Sequence, residues 1–305
     1  MIPPEKAPPR RQFHIAGTPF AAPKLDGGLY LVATPIGNLG DISIRALQTL
    51  ASADLIACED TRVSRKLLEH YGIAAALTLY HEHNAQAARP KLLSRIAEGA
   101  AVALISDAGT PLISDPGFKL VREAHEAGLA VHAIPGASSV LTALTVSGLP
   151  TDRFFFEGFL PAKASQRRSR IAELVRIPAS LVLFESGPRI ADTLADLAAT
   201  FGTREASICR ELTKLHEEVR RDELPTLAAH YAGDAETRGE FVVVIAPPSE
   251  EAQPQAEDVD AMIRSALARI SVKDAVAEIV AATGLPRRDV YQRALELAKD
   301  RDQTA

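Results

Sequence analysis

Four short segments of this 305-residue chain place glycine, proline, serine and threonine directly after apolar runs. They are Ala33-Thr34-Pro35-Ile36-Gly37-Asn38-Leu39-Gly40-Asp41, the stretch Ser106 to Gly117 (SDAGTPLISDPG), Pro135-Gly136-Ala137-Ser138-Ser139, and Phe184-Glu185-Ser186-Gly187-Pro188-Arg189. Glycine lets backbone approach a ligand closely, and proline fixes a turn while leaving carbonyls free as acceptors. Loops of this kind suit a ligand that carries amine and ribose donors and a flat base. Taken singly, each is equally well a tight turn between packed elements. Four of them after four apolar runs point to one edge of a sheet.

The elements that must hold these loops follow from the periodicity. Candidate strands at 29–34, 54–59, 101–106 and 130–135 alternate with helical patterns at 44–53, 62–71, 89–99 and 118–127. Strand–helix alternation predicts a parallel sheet covered on both faces, with ligands bound beyond the C-terminal strand ends. After Pro150 the texture changes to stronger β runs at 154–159, 180–185, 206–212 and 240–246, with helices near 163–175 and 188–200. The chain has no GxxxxGK[ST] loop and no strand followed by GxGxxG, which disfavours nucleotide hydrolysis and dinucleotide binding.

Composition sets the outer limits. Apolar residues make up 47% and charged residues 24%, ordinary for a globular protein. Two cysteines, Cys58 and Cys209, give no disulfide framework and no zinc-ligand spacing, and both fall in strand patterns that bury them as inert thiols. The reading is a reducing, cytoplasmic compartment. The uncharged stretch 127–151 is interrupted by Pro135, Gly136 and Gly148, so it reads as strand, loop and helix rather than a membrane span. The net charge of −5 means that any nucleic acid must be met by a local basic patch. The division expected is a proline-rich disordered tail at 1–26, an α/β domain at 27–149, a second at 150–247, a Pro/Glu/Gln linker at 248–258 and a small helical, helix-turn-helix-like unit at 259–305.

The loops and their neighbours carry a family resemblance. GLYLVATPIGNLGDIS (28–43), CEDTR (58–62), YHEHN (80–84), LISDAGTPLISDPG (104–117), IPGASS (134–139), FFFEGFLP (154–161), FESGPR (184–189), CRELTKLHEE (209–218) and GEFVVVI (239–245) resemble the ribosomal-RNA-modifying branch of the tetrapyrrole-methylase-like family. Tetrapyrrole methylases themselves carry a glycine-richer first loop, and a GDP tripeptide where this chain has Gly109-Thr110-Pro111. The resemblance implies two α/β domains with S-adenosylmethionine (SAM) in the cleft between them. The activity it implies is methylation of the ribose 2′-oxygen of a cytidine in the decoding region of 16S rRNA. The partners are then the small ribosomal subunit and, as in the family, a second copy in a homodimer. It implies a SAM pocket formed by Pro35, Gly109, Thr110, Ile113, Ser138, Ser139, Phe159, Leu160, Ser186, Leu212 and Phe241, with no metal. A small-substrate methylase and an RNA-binding assembly factor without catalysis are the competing readings. The first and third loops argue against the one, and the complete set of SAM loops argues against the other.

A ribose hydroxyl is a weak nucleophile, so a positioned base is expected. The candidates are Glu59 and Asp60 in CEDTR, His83 in YHEHN, Glu185 in FESGPR and Lys214 in ELTK. A carboxylate needs a raised pKa for this work and a lysine a lowered one. For RNA, Arg62 and Arg189 are candidate phosphate contacts. The segment KASQRRSRIAELVR at 163–176 offers Lys163, Arg167, Arg168 and Arg170 as a basic track, with a solvated helix face as the plain alternative.

Overall fold

The computed structural model describes residues 11–248, 256–283 and 285–303. The chain opens with a hairpin, β1 (Gln12–Ile15) and β2 (Thr18–Ala21), where the sequence predicts a disordered tail. Ala16 and Gly17 turn the chain with φ of 49° and 79°, the left-handed pair a two-residue hairpin needs. Phe13 is buried and stacks on Phe20, and the His14 N–H donates to the Tyr71 carbonyl at 2.7 Å. One buried ring and one turn outweigh the prolines around them. Residues 1–10 of the expected tail lie outside the described residues.

The first sheet contains β3 (Gly28–Val32), β4 (Leu55–Cys58), β5 (Leu77–Leu79), β6 (Ala101–Ile105) and β7 (Val131–Ile134). All pairs are parallel, in the order β5-β4-β6-β3-β7. Its central strands are apolar at nearly every position because both faces are covered. Alternate residues divide between the faces. Tyr30, Val32, Ile56 and Cys58 join a core with α1 (Ile44–Ser52) and α2 (Thr61–His70). Leu29, Leu55, Ala57 and Leu104 join another with α3 (Ala85–Ala97) and α4 (Phe118–Glu126). Ser43 caps α1, and Asp60 caps α2 by accepting from the Arg62 N–H at 2.7 Å.

Helix α5 (Ser139–Ser147) leaves this sheet, and its Val140, Ala143 and Leu144 pack on the second one. The sequence division at 149/150 cuts just after it. The second sheet runs β11-β10-β12-β9-β8. It is built from β8 (Phe154–Phe159), β9 (Ser180–Ser186), β10 (Glu205–Arg210), β11 (Glu218–Glu223) and β12 (Glu240–Ile245), and only β8 and β9 are parallel. Its other face is covered by α6 (Ala164–Leu174), α7 (Ile190–Phe201) and α8 (Leu224–Ala232). Strand β11, EVRRDE, is a polar edge strand without apolar alternation, which is why periodicity does not reveal it.

Three further helices, α9 (Ala256–Leu267), α10 (Val272–Thr283) and α11 (Arg287–Gln303), share a core of their own around Ile263, Val276, Ile279 and Ala294. Most of the expected linker, 249–255, lies outside the described residues. Among the described residues, no helix is long and apolar enough to cross a membrane.

Candidate active site

Three of the four loops are stitched together at the C-terminal edge of the first sheet. Thr34 and Gly109 exchange backbone hydrogen bonds of 2.9 and 3.1 Å, joining the loops after β3 and β6. The Thr34 hydroxyl donates to the Ser106 carbonyl at 3.2 Å, and the Thr110 hydroxyl donates to the Ala137 carbonyl at 3.2 Å, which adds the loop after β7. The adjacency of β6, β3 and β7 makes this possible. From the second sheet, the ends of β8, β9 and β12 and the loop after β10 face them. The two sides touch closely. Gly158 approaches Ser114 so nearly that a Cβ there would sit 3.2 Å from its hydroxyl oxygen.

Between the two sides lies a cavity of about 350 Å³, within the range of small-molecule sites. Gly109, Thr110, Ile113, Ser138, Ser139, Phe159, Ser186, Leu212 and Phe241 all line it. Pro35 and Leu160 do not. Each is buried behind a neighbour, Ile36 and Phe159 respectively, and it is the neighbour that faces the space. Phe159 is 57% exposed, and its ring meets Phe184 edge-on at 5.5 Å. The sequence reading passed over Ile36, Ser114, Asp115, Phe184 and Glu240 as lining residues. Backbone strain marks part of this lining, at Ser114 and beside it. Leu112 and Ser114 have φ of 74° and 63°, and Glu211 and Thr213 have φ of 50° and 67°, so strain concentrates in the two loops that face one another.

The candidate bases separate. Glu185 is buried and spent: its carboxylate accepts from the Ser186 N–H and the Thr193 hydroxyl, both at 2.7 Å, and pairs with Arg189 at 3.2 Å. It organises the start of α7. Lys214 lines the cavity, but its Nζ is held by Glu211 at 2.7 Å and Glu240 at 2.9 Å. Burial alone would lower its pKa, but the two carboxylates outweigh burial and hold it above the ordinary lysine value, the wrong direction for a base. Asp60 is a helix cap clasped by Arg62, which holds its pKa down to about 2. His83 is exposed beside His81, and neither His83 nor Glu59 lines the cavity. Three carboxylates line the wall: Glu185, engaged as above, Glu240, paired with Lys214, and Asp115, which pairs with no cation among the described residues. Burial pushes its pKa up to about 6; a hydrogen bond from Ser106 opposes the rise, and the charges of Glu59 and Asp107 add to it. Cys209 also lines the cavity, with its thiol pushed up to about 11 by burial and therefore neutral.

The basic track is broken by internal pairing. Arg167 is buried and bound to Asp196 at 2.7 Å. Arg170 is held by Glu157 through two bonds of 2.6 and 2.7 Å and by Glu173 at 2.6 Å. Arg189 donates to the Leu160 carbonyl at 2.8 Å and ties two loops of its own domain. These three are engaged by groups of the chain itself. Lys163 and Arg168 remain exposed, and Arg62 is exposed but clasped by Asp60.

The cavity fits SAM. It pairs an aromatic and aliphatic wall (Phe159, Phe184, Leu212, Phe241) with hydroxyls from Thr110 and Ser139 and the carboxylate of Glu240. At Gly109, φ is 78° and a Cβ would stand 3.3 Å from Ile36, so bare backbone faces the space.

A family model described as tetrapyrrole (corrin/porphyrin) methylases matches residues 28–228, and one described as the RsmI C-terminal HTH domain matches 253–298. The chain is 51% identical over 284 residues to the ribosomal RNA small subunit methyltransferase I of Mesorhizobium japonicum, covering 93% of this chain and 96% of that one. It is 42% identical over 280 residues to the protein of the same name from Escherichia coli O157:H7, covering 90% and 97%. Among solved structures, diphthine synthase (TM-score 0.57, 20% identity, 72% of this chain and 89% of that one) shares the fold. So does a cobalt precorrin-4 methyltransferase of cobalamin biosynthesis (TM-score 0.55, 16% identity, 72% and 94%).

Proposed function

The chain belongs to the tetrapyrrole methylase family and, within it, to the ribosomal RNA small subunit methyltransferases I; from that premise we propose that it methylates the ribose 2′-oxygen of a cytidine in the decoding region of 16S rRNA. SAM-dependent methylation of ribosomal RNA is the family's activity. The finer reading has it acting on the small subunit, in the cytoplasm and as a homodimer. One observation supports it above the rest: nine of the residues that the family resemblance implies for the SAM pocket, drawn from both halves of the molecule, line one cavity. Among the described residues, the C-terminal helices contribute nothing to its lining.

When bound, SAM supplies an activated methyl group on a sulfonium centre. The chain's task is then alignment and proton handling. Gly109 and Thr110 present backbone and hydroxyl to the cofactor from a loop locked by the Thr34 pair. Ser138 caps α5 with its side chain, accepting from the Leu141 N–H at 3.5 Å, while Ser139 turns into the cavity. Phe159 and Phe184 give a flat apolar wall suited to an adenine. The loops hold no thiolate: Cys209 is neutral and Cys58 is buried, so the covalent route to a pyrimidine C5 has no nucleophile here.

The test uses small subunits carrying a single 2′-deoxycytidine at the target. Binding falls only modestly, because one hydroxyl contributes about 0.5–1.5 kcal/mol. Methyl incorporation from labelled SAM vanishes. Transfer to the deoxy substrate would move the chemistry from the ribose to the base.

A further inference from the structure

Beside the cofactor cavity is a second hollow of about 790 Å³, formed by the loops after β4 and β5 and the start of α4. Ser114 and Asp115 line both spaces, so a single turn of backbone separates them. That turn is strained at Leu112 and Ser114, and Gly117 follows at a φ of 145°. Regular backbone would not put a carboxylate at this partition.

The remaining lining has three chemical parts. Phe118, 65% exposed, offers a free aromatic face, with the Arg122 guanidinium 5.9 Å from its ring centre. Lys119 lies beside it in the first turn of α4, and no side chain caps that helix. Glu59 and Glu82 are the acceptors on the opposite side. A flat base, a phosphate and ribose or exocyclic donors match these parts in turn. Unstacked RNA bases are recognised in this way, on aromatic faces and by edge hydrogen bonds.

We propose that this hollow receives the target nucleoside, unstacked from its RNA, and that Asp115 is the catalytic base at the partition. The proposal rests on the ribose-methylation reading above. The 2′-hydroxyl proton passes to an Asp115 carboxylate oxygen as the oxygen–methyl bond forms. The carbon–sulfur bond breaks with its electron pair left on sulfur, and the proton then leaves to solvent. Neighbouring charge favours this assignment. Glu59 from the loop after β4, Asp107 from the loop after β6, Glu82 and Arg89 near α3, and Lys119 from α4 surround the site, with Glu185, Lys214 and Glu240 across the cofactor cavity. Burial first, and then the charges of Glu59 and Asp107, keep Asp115 more basic than an ordinary carboxylate, yet ionised at neutral pH.

The experiment compares full-length wild type, Asp115→Asn, Asp115→Glu and Phe118→Ala by three readouts. These are SAM affinity by calorimetry, equilibrium binding of unmethylated small subunits, and single-turnover methyl transfer between pH 5 and 8. Asp115→Asn keeps both affinities within about threefold and loses roughly 10²–10⁴-fold in rate, together with the limb that rises near pH 6. Asp115→Glu retains that limb. Phe118→Ala leaves SAM affinity alone and weakens subunit binding roughly 5–150-fold, the value of one base stack. An Asp115→Asn enzyme with wild-type rate and limb overturns the assignment. So does one that has lost SAM binding, which would place Asp115 on the cofactor. A wild type that binds SAM but methylates no subunit RNA overturns the functional reading instead.

Discussion

Lys214, in the loop after β10, lies against the α-carbon of Gly37 in the loop after β3, so closely that a Cβ on Gly37 would collide with its side chain. Its charge is consumed by Glu211 and Glu240, within its own half of the molecule. What reaches across is the aliphatic stem. Gly37 also has a φ of 151°, which L side chains rarely adopt. Gly37→Ala should therefore push the two loops apart and raise the SAM Kd by about tenfold, roughly 1.4 kcal/mol. Lys214→Met, which keeps the stem, should leave the pH dependence of transfer unchanged. A lost pH limb in that variant would return Lys214 to the role of base.

Thr110 faces the cavity and anchors its loop through the Ala137 carbonyl. Thr110→Arg fills the space and breaks that bond. Calorimetry should show SAM affinity down by more than tenfold, about 1.4 kcal/mol or more, in a protein whose unfolding transition stays cooperative.

Arg167 and Arg168 are neighbours in sequence with opposite duties. Removing Arg167 takes away the buried, close partner of Asp196, whose side chain is 14% exposed, and leaves it only the exposed Arg168 at 3.8 Å. Arg167→Ala should lower unfolding free energy by roughly 3–5 kcal/mol, the effect of breaking one side of a buried pair. The double change Lys163→Gln and Arg168→Gln should cost at most about 1 kcal/mol of stability, the worth of the exposed 3.8 Å pair between Arg168 and Asp196, while weakening subunit binding and flattening its salt dependence. Denaturant melts and binding at two salt concentrations separate the two effects.

Asp115 makes a stability prediction of its own. An unfolded aspartate titrates near 3.9, whereas in the fold burial raises Asp115 to about 6. A raised carboxyl favours the protonated fold, so the penalty is absent below about pH 4, grows from pH 4 to 6 and is complete above. Asp115→Asn should stabilise the fold by roughly 1–3 kcal/mol at pH 7.5 and by nothing at pH 4. Urea melts at the two pH values check this.

The sheet elements were legible because β3, β4 and β6 are apolar runs, and the cavity loops because Gly, Pro and Thr follow them at fixed places. Pro35 and Leu160 show the limit of that reading. A motif marks the segment, but which of two adjacent residues faces the ligand depends on local backbone, and in both cases it was the neighbour. Charged residues were least legible. Arg167 and Arg170 look identical to Arg168 in sequence, yet they are held close by Asp196 and Glu157 on other elements, whereas Arg168 reaches Asp196 only at 3.8 Å with its side chain largely exposed. Asp115 was hidden for the same reason. Its environment is made first by burial and then by charges that include Glu59, which the parallel pairing of β4 with β6 brings near it.

In the first sheet β6 lies between β3 and β4, although it follows both in the chain. Strand β3 pairs only with β6 and β7. During synthesis, therefore, Leu29 to Val32 have no strand to join until residues 101–105 have been made. At ribosomal speeds of 5–20 residues per second this is a delay on the order of ten seconds. Throughout it, the apolar β3 lacks both of its neighbouring strands. Assembly of the first sheet is thus a long-range event that waits on β6.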